Sequence, residues 1–326
     1  MTETLFHAYT PLILWTGVGL LLFRLVPETL PHLLGRGLYW VGIPLELLAL
    51  ARKTNFSQPA GIAPVVTLAA LGLGFGVAYL CLLALKWYDR SPQSKSLQSK
   101  KSELFSSQQN ASDRGSFILA AVLGNTGFVG LSIAPALISN DYLNWIVFYS
   151  ITHNIVGAYG FGVLIASFYG RSNQSHHWWI HLRDVLTVPV LWAFVIGYVT
   201  QSVHLPAIVE SGLEGSINIV IACAFLLIGM RLCQIQGWKS LKQALIPATL
   251  RVLVIPGLVG VTTTLLFGLS GDRRLAMVLM SGVPTAFAGL IFAEEYNLDR
   301  KVIASSIFLS TVLYLLVLPL WLAIFD

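Results

Sequence analysis

Gly124-Asn125-Thr126-Gly127-Phe128-Val129-Gly130-Leu131-Ser132-Ile133-Ala134-Pro135 decides how this chain is read. The stretch sits inside an apolar run, residues 116–139, that is long enough to cross a bilayer. Its three Gly, its Asn and its Pro are poor choices for a plain helix. Against Ala, Gly costs about 1 kcal/mol and Pro about 3 kcal/mol. A second apolar run, residues 275–293, is interrupted in the same way by Ser281-Gly282-Val283-Pro284-Thr285-Ala286-Phe287-Ala288-Gly289. A broken helix leaves N–H and C=O groups that only protein or a polar cavity can cover in hydrocarbon. Where the helix restarts, its N-terminus carries partial positive charge and can hold an anion. Small residues also permit kinks and close packing. Two breaks at matching places in the chain nevertheless point to a binding site.

The rest of the sequence supplies the setting. It is 56% hydrophobic and 11% charged, with mean hydropathy +0.74. Soluble domains carry about 25% charged residues, and one core of a chain this size does not hide so much apolar surface. The expected fold is therefore an all-α membrane protein. Ten runs qualify as spans: residues 9–26, 33–50, 61–85, 116–139, 143–168, 185–201, 205–230, 244–268, 275–293 and 302–325. No Lys or Arg precedes Pro11, so the first run reads as a retained span and not as a signal peptide.

The net charge of +5 does not point to nucleic acid, because Lys and Arg sit in short loops between apolar runs. Fifteen of the 20 fall in loops after odd-numbered spans, four on the opposite side, and Arg251 inside a span. That bias places the odd loops in the cytoplasm and both termini outside, in the cell (inner) membrane. Ten spans then divide into two five-helix repeats of opposite orientation, residues 1–169 and 184–326, joined by a linker at 170–183. A polar loop rich in Ser, Gln and Lys is expected at 87–115.

Few side chains carry chemistry. Cys81, Cys223 and Cys233 lie in or beside apolar runs, without metal-binding spacing, and read as small buried hydrophobes. His176, His177 and His181 suit either a metal or a solvated turn with an aromatic belt; no metal and no cofactor is expected. Glu46 follows Pro44 in the second span, as either a proton carrier or a structural partner to a cation. His153, beside Asn154 in the fifth, either titrates near neutral pH or hydrogen-bonds a carbonyl. Arg251 in the eighth either attracts an anion or snorkels to the interface. Glu294 and Glu295 end a span and read as solvated. No nucleophile–base pair, phosphate loop or metal-ligand spacing is present, so an enzyme is not expected.

GNTGFVGL, residues 124–131, resembles the fourth-helix motif of the auxin efflux carrier family, which includes plant PIN auxin carriers and bacterial organic-acid permeases. The stretch from Pro284-Thr285-Ala286 to Asp299 resembles that family's ninth helix and the loop after it, and VIASSIFLSTVLYLLVLPLWL (302–322) is similar to its last helix. The resemblance implies ten helices in two inverted repeats, with broken helices 4 and 9 crossing beside the substrate. It implies a scaffold of helices 1, 2, 6 and 7, and a transport domain of helices 3–5 and 8–10 that moves elevator-fashion. Asn125 is then expected on the substrate carboxylate, with Gly124, Thr126, Gly127, Pro284, Thr285, Ala288 and Gly289 around it. The implied activity is secondary transport of a small organic anion or weak acid, such as an auxin-like or dicarboxylic acid. The expected partners are that substrate, membrane lipid and a second copy of the chain. The alternative is a sodium-coupled carrier of the bile acid symporter type, which needs polar ligands at both crossings.

Overall fold

The computed structural model describes residues 2–27, 29–56, 61–90, 111–170, 178–233 and 238–325. In chain order its helices are α1 (Thr2–Leu22), α2 (Leu30–Lys53), α3 (Ala63–Arg90), α4 (Ala111–Val122), α5 (Thr126–Ala136), α6 (Asn140–Gly170), α7 (Trp178–Leu186), α8 (Pro189–Val199), α9 (Ala207–Cys233), α10 (Trp238–Phe267), α11 (Gly271–Gly282), α12 (Phe287–Glu295) and α13 (Arg300–Phe325). Seven are long and apolar enough to cross a membrane: α1, α2, α3, α6, α9, α10 and α13. The pair α7 and α8, bent by 52°, makes an eighth. Side chains such as Leu21, Leu80, Ile208 and Leu265 are exposed on the outside, as lipid permits and water does not. The protein is thus an all-helical, multi-pass membrane protein.

The two interrupted runs form the remaining four helices. At 1.5 Å per residue, the 12 residues of α4 or α11 reach about 18 Å, short of a hydrocarbon core of about 30 Å. Each of the two runs therefore consists of half-helices, α4 with α5 and α11 with α12.

Two groups of helices emerge from the packing. In one, α1 packs along α9, α2 along α8, and α9 also touches α2. In the other, α3, α4, α6, α10, α11 and α13 pack on one another, with α10 along α13 and α4 between α3, α6 and α13. Close backbone approach holds the first group. A Cβ on Gly19 would run into the Leu226 carbonyl, and one on Gly229 into the Thr16 carbonyl. Small residues are the usual means of such approach in membranes. Gly229→Leu is expected to separate α1 from α9 and lower the thermal midpoint of the purified protein. An unchanged midpoint would show that this contact contributes little.

The structure trims several loop expectations. Helix α3 runs to Arg90 and α4 starts at Ala111, so the polar loop expected at 87–115 is helical at both edges. Its centre, residues 91–110, lies outside the described residues. In the linker expected at 170–183, residues 171–177, with His176 and His177, are likewise outside them, while Trp178 to Arg183 belong to α7. His181 Nδ1 stands 2.7 Å from Ser167 Oγ, and that hydroxyl donates to Asp184 Oδ2 at 2.6 Å, tying α6 to α7. Among the described residues no group of three His, Cys, Asp or Glu side chains is placed to hold a metal ion. Cys233 is exposed, contrary to the buried reading. Glu294 is not simply solvated: its side chain is 14% exposed and pairs with Arg231 at 3.0 Å and His32 at 3.2 Å.

Candidate binding site at the crossed breaks

The first break follows directly from its residues. Helix α4 stops at Val122, and Asn125 caps the restart by accepting the Phe128 N–H on Oδ1 at 3.3 Å. An Asn in that place satisfies one of the orphan donors of a helix start. In the second break, α11 stops at Gly282. Val283 is extended (φ −55°, ψ 151°), as steric conflict with a following Pro requires. Ala286 precedes α12 without a side-chain cap.

The two breaks meet. Gly124 and Thr285 form an isolated antiparallel β-bridge. The Asn125 N–H donates to Pro284 O at 2.8 Å, and the Ala286 N–H donates to Leu123 O at 2.8 Å. Ser310 Oγ of α13 accepts the Thr285 N–H at 3.0 Å, and the Thr285 hydroxyl donates to Ala120 O at 2.8 Å. Broken backbone is tolerated in a membrane protein when its polar groups are satisfied in this way.

Arg251 closes the other side of the crossing. It is 2% exposed. Its Nε donates to Val283 O at 2.9 Å and its Nη1 to Val122 O at 2.8 Å. Those carbonyls stand at the C-terminal ends of α11 and α4, where the helix dipoles are negative. One guanidinium fork therefore caps both half-helices. It neither snorkels to an interface nor lines the cavity described below. Gly124 is required beside it, because a Cβ there would collide with the guanidinium.

His153 holds the first break from α6. Its Nε2 accepts the Gly124 N–H at 3.2 Å. Its Nδ1 faces Thr126 Oγ1 at 3.3 Å. The ring also lies within hydrogen-bonding reach of the Val122 backbone. Asn154 Nδ2 donates to Ser150 O at 2.9 Å and reaches Thr126 Oγ1 at 3.4 Å.

On the opposite side, the N-terminal ends of α5 and α12 open onto a small cavity. Its walls are Ile43 and Glu46 of α2; Gly124, Asn125, Gly127 and Phe128 of the first break; Asn154 and Tyr159 of α6; and residues 286–288 of the second break. The space, about 20 Å³, holds a water or two. Glu46 is 1% exposed, and its Oε1 has no hydrogen-bond partner. No ion pair among the described residues includes it, so the cation partner weighed from the sequence is not found there. A Cβ on Gly127 would stand 3.3 Å from Glu46 Oε1 and 3.4 Å from Asn154 Nδ2.

Of the residues singled out in the sequence, Gly124, Asn125, Gly127, Ala288 and Glu46 line the cavity. Thr126, Pro284, Thr285, His153 and Arg251 form the hydrogen-bonded frame behind it. Gly289 lies within α12 beside Ile303, away from the cavity. Tyr159, Phe128, Phe287 and Ile43 were not expected. One structural device accompanies them. The π-helical turns of the described residues are Leu38–Gly42, Thr126–Gly130, His153–Gly162 and Leu250–Val254. Each lies on a helix that supplies a side chain to the crossing. A π turn admits an extra residue and re-aims the side chains that follow. The Gly-rich run around Gly157, Gly160 and Gly162 was its one visible trace in the sequence.

A multi-pass membrane protein whose two broken helices cross, with their N-termini on a polar cavity, belongs to the class of membrane transporters. Residues 103–322 match the family model described as membrane transport protein, and the chain belongs to that family, the auxin efflux carriers. A protein of Methanothermobacter thermautotrophicus named as an uncharacterized transporter is 28% identical over 209 residues, 62% of this chain and 65% of the relative. Another so named, from Methanocaldococcus jannaschii, is 24% identical over 216 residues, 64% of this chain and 67% of the relative. The chain thus matches about two thirds of the length of these curated relatives.

Proposed function

We propose that this protein is a secondary carrier of small organic anions or weak acids, aromatic or dicarboxylic, whose carboxylate binds where the two breaks cross. The observation that carries this reading is the joint opening of two helix N-termini, with Asn125 between them, onto one cavity. Each N-terminus stabilises a partly buried anion by up to about 2 kcal/mol. Catalysis has no comparable support. The second break offers Ala286, Phe287 and Ala288 to the cavity, with no side-chain oxygen. That favours sodium-independent carriage over the sodium-coupled alternative.

The inverted-repeat and elevator readings rest on the packing. The contact of α1 with α9 answers that of α2 with α8, and the contact of α4 with α13 answers that of α11 with α6. Both correspondences follow if the second five spans repeat the first. Helices α1, α2, α7, α8 and α9 would form the scaffold and the rest the transport domain. The charge bias supports outward termini in the cell membrane. The cavity is too small for a whole organic acid, so the body of the acid requires space beyond it. Proteoliposomes given labelled indole-3-acetate, benzoate and malate are expected to show saturable, sodium-independent uptake of at least one. Absence of uptake of all three by well-folded protein would count against the reading, and a strict sodium requirement would favour the alternative.

A further inference from the structure

We propose that Glu46 meets the substrate carboxylate as the protonated acid, so that the site holds an organic acid as anion plus proton. The proposal rests on the carrier reading above and adds the coupling ion. The cavity places the Glu46 carboxyl opposite the positive ends of α5 and α12, and no Lys, Arg or His lines it. Its Oε1 is buried and bonded to nothing. Glu46 is the one carboxyl group in the lining, beside those helix ends. A substrate carboxylate entering so small a space stands beside Glu46, and two carboxylates in contact do not both stay ionised. The balance is simple. Where Glu46 is ionised, a proton from water bonds to one of its oxygens; the Glu46 O–H donates to the incoming carboxylate. No other bond forms or breaks.

The surrounding groups leave Glu46 as the acceptor. From α6, Tyr159 faces the cavity, and Tyr39 of α2 packs on Tyr159 with centroids 6.3 Å apart. Helix α8 has Tyr198 as its one titratable side chain, packed on Phe56 and Phe194. The charges of α9 stand toward its ends, where Glu210, Glu214 and Arg231 pair with Arg52, Lys53 and Glu294. On α12, Glu294 and Glu295 close the end away from the cavity. His153 and Arg251 bond the frame behind Gly124. Asn125 and Asn154 complete the polar lining and do not titrate.

The test measures binding of benzoate, indole-3-acetate and malate to the purified protein by calorimetry across neutral and alkaline pH, where all three acids are ionised. Wild type is expected to lose affinity as pH rises past the ionisation of Glu46 in the empty site, by up to about tenfold per pH unit, the slope of one linked proton. Glu46→Gln, which keeps the shape and a donor, is expected to bind with no pH dependence. Infrared difference spectra provide a readout on wild type alone: adding the acid at alkaline pH should produce a protonated-carboxyl band. Binding without that band, or an equal pH slope in Glu46→Gln, overturns the proposal and leaves the carrier reading standing. Failure of both proteins to bind any of the three acids overturns the carrier reading, and the proposal falls with it.

Discussion

Asn125→Ala is expected to abolish saturable uptake of the transported acid while the protein still folds. The side chain has two tasks. Its Oδ1 caps α5 through the Phe128 N–H, and its remaining polar atoms border the cavity. Loss of the cap costs about 1 kcal/mol, too little to unfold a protein held by so extensive a core. On the proposed reading, loss of the amide also removes a donor to the substrate carboxylate. Asn125→Asp separates the two tasks. It keeps the capping oxygen, which the helix dipole favours, and replaces the donor with a second negative charge. Uptake should therefore vanish in Asn125→Asp with the thermal midpoint preserved. Normal uptake by either variant would remove Asn125 from the site.

Arg251→Leu is expected to do the opposite, damaging the fold before the site. It strips the cap from the carbonyls of Val122 and Val283 at once. Each buried acceptor left unsatisfied costs about 1–3 kcal/mol, so the pair costs about 2–6 kcal/mol, on the scale of a whole domain's stability. Arg251→Lys retains the charge but not the fork that reaches both helix ends, and should recover part of the loss. The measurement is thermal unfolding of the detergent-purified variants. A midpoint for Arg251→Leu equal to wild type would show that water or another donor caps these ends.

Much of the architecture could be read from local chemistry. Every apolar run long enough to span became a helix or a helix pair, because the pattern follows from bilayer thickness alone. The breaks at Gly124 and Pro284 were equally visible, since Gly and Pro act on their own backbone. Partners across the fold were not visible. Val122 lies 129 residues from Arg251, and nothing local to either marks the bond between them. Nor does anything local mark the bond between His153 and Gly124, 29 residues apart. The polar residues 87–90 stayed helical because α3 continues its hydrogen bonding past the apolar stretch. Gly289 was grouped with the break because composition does not show where a restarted helix begins, and α12 already includes it. The π turns escaped notice because one extra residue in a helix apolar on most faces leaves no change of period to read.

The central claim is that a substrate carboxylate sits at the N-termini of α5 and α12 beside Asn125. Solid-state NMR tests it most directly, on protein saturated with a transported acid labelled with ¹³C at the carboxylate. Partner labels are ¹⁵N at the Asn side-chain amides and at the backbone amides of Phe and Ala. The account predicts dipolar contact from the carboxylate carbon to Asn125 and to the amides of Phe287 or Ala288, at about 4 Å or less, as hydrogen bonding requires. The Asn contact should be absent in Asn125→Asp. A bound acid that shows no contact with any of these nitrogens would contradict the account.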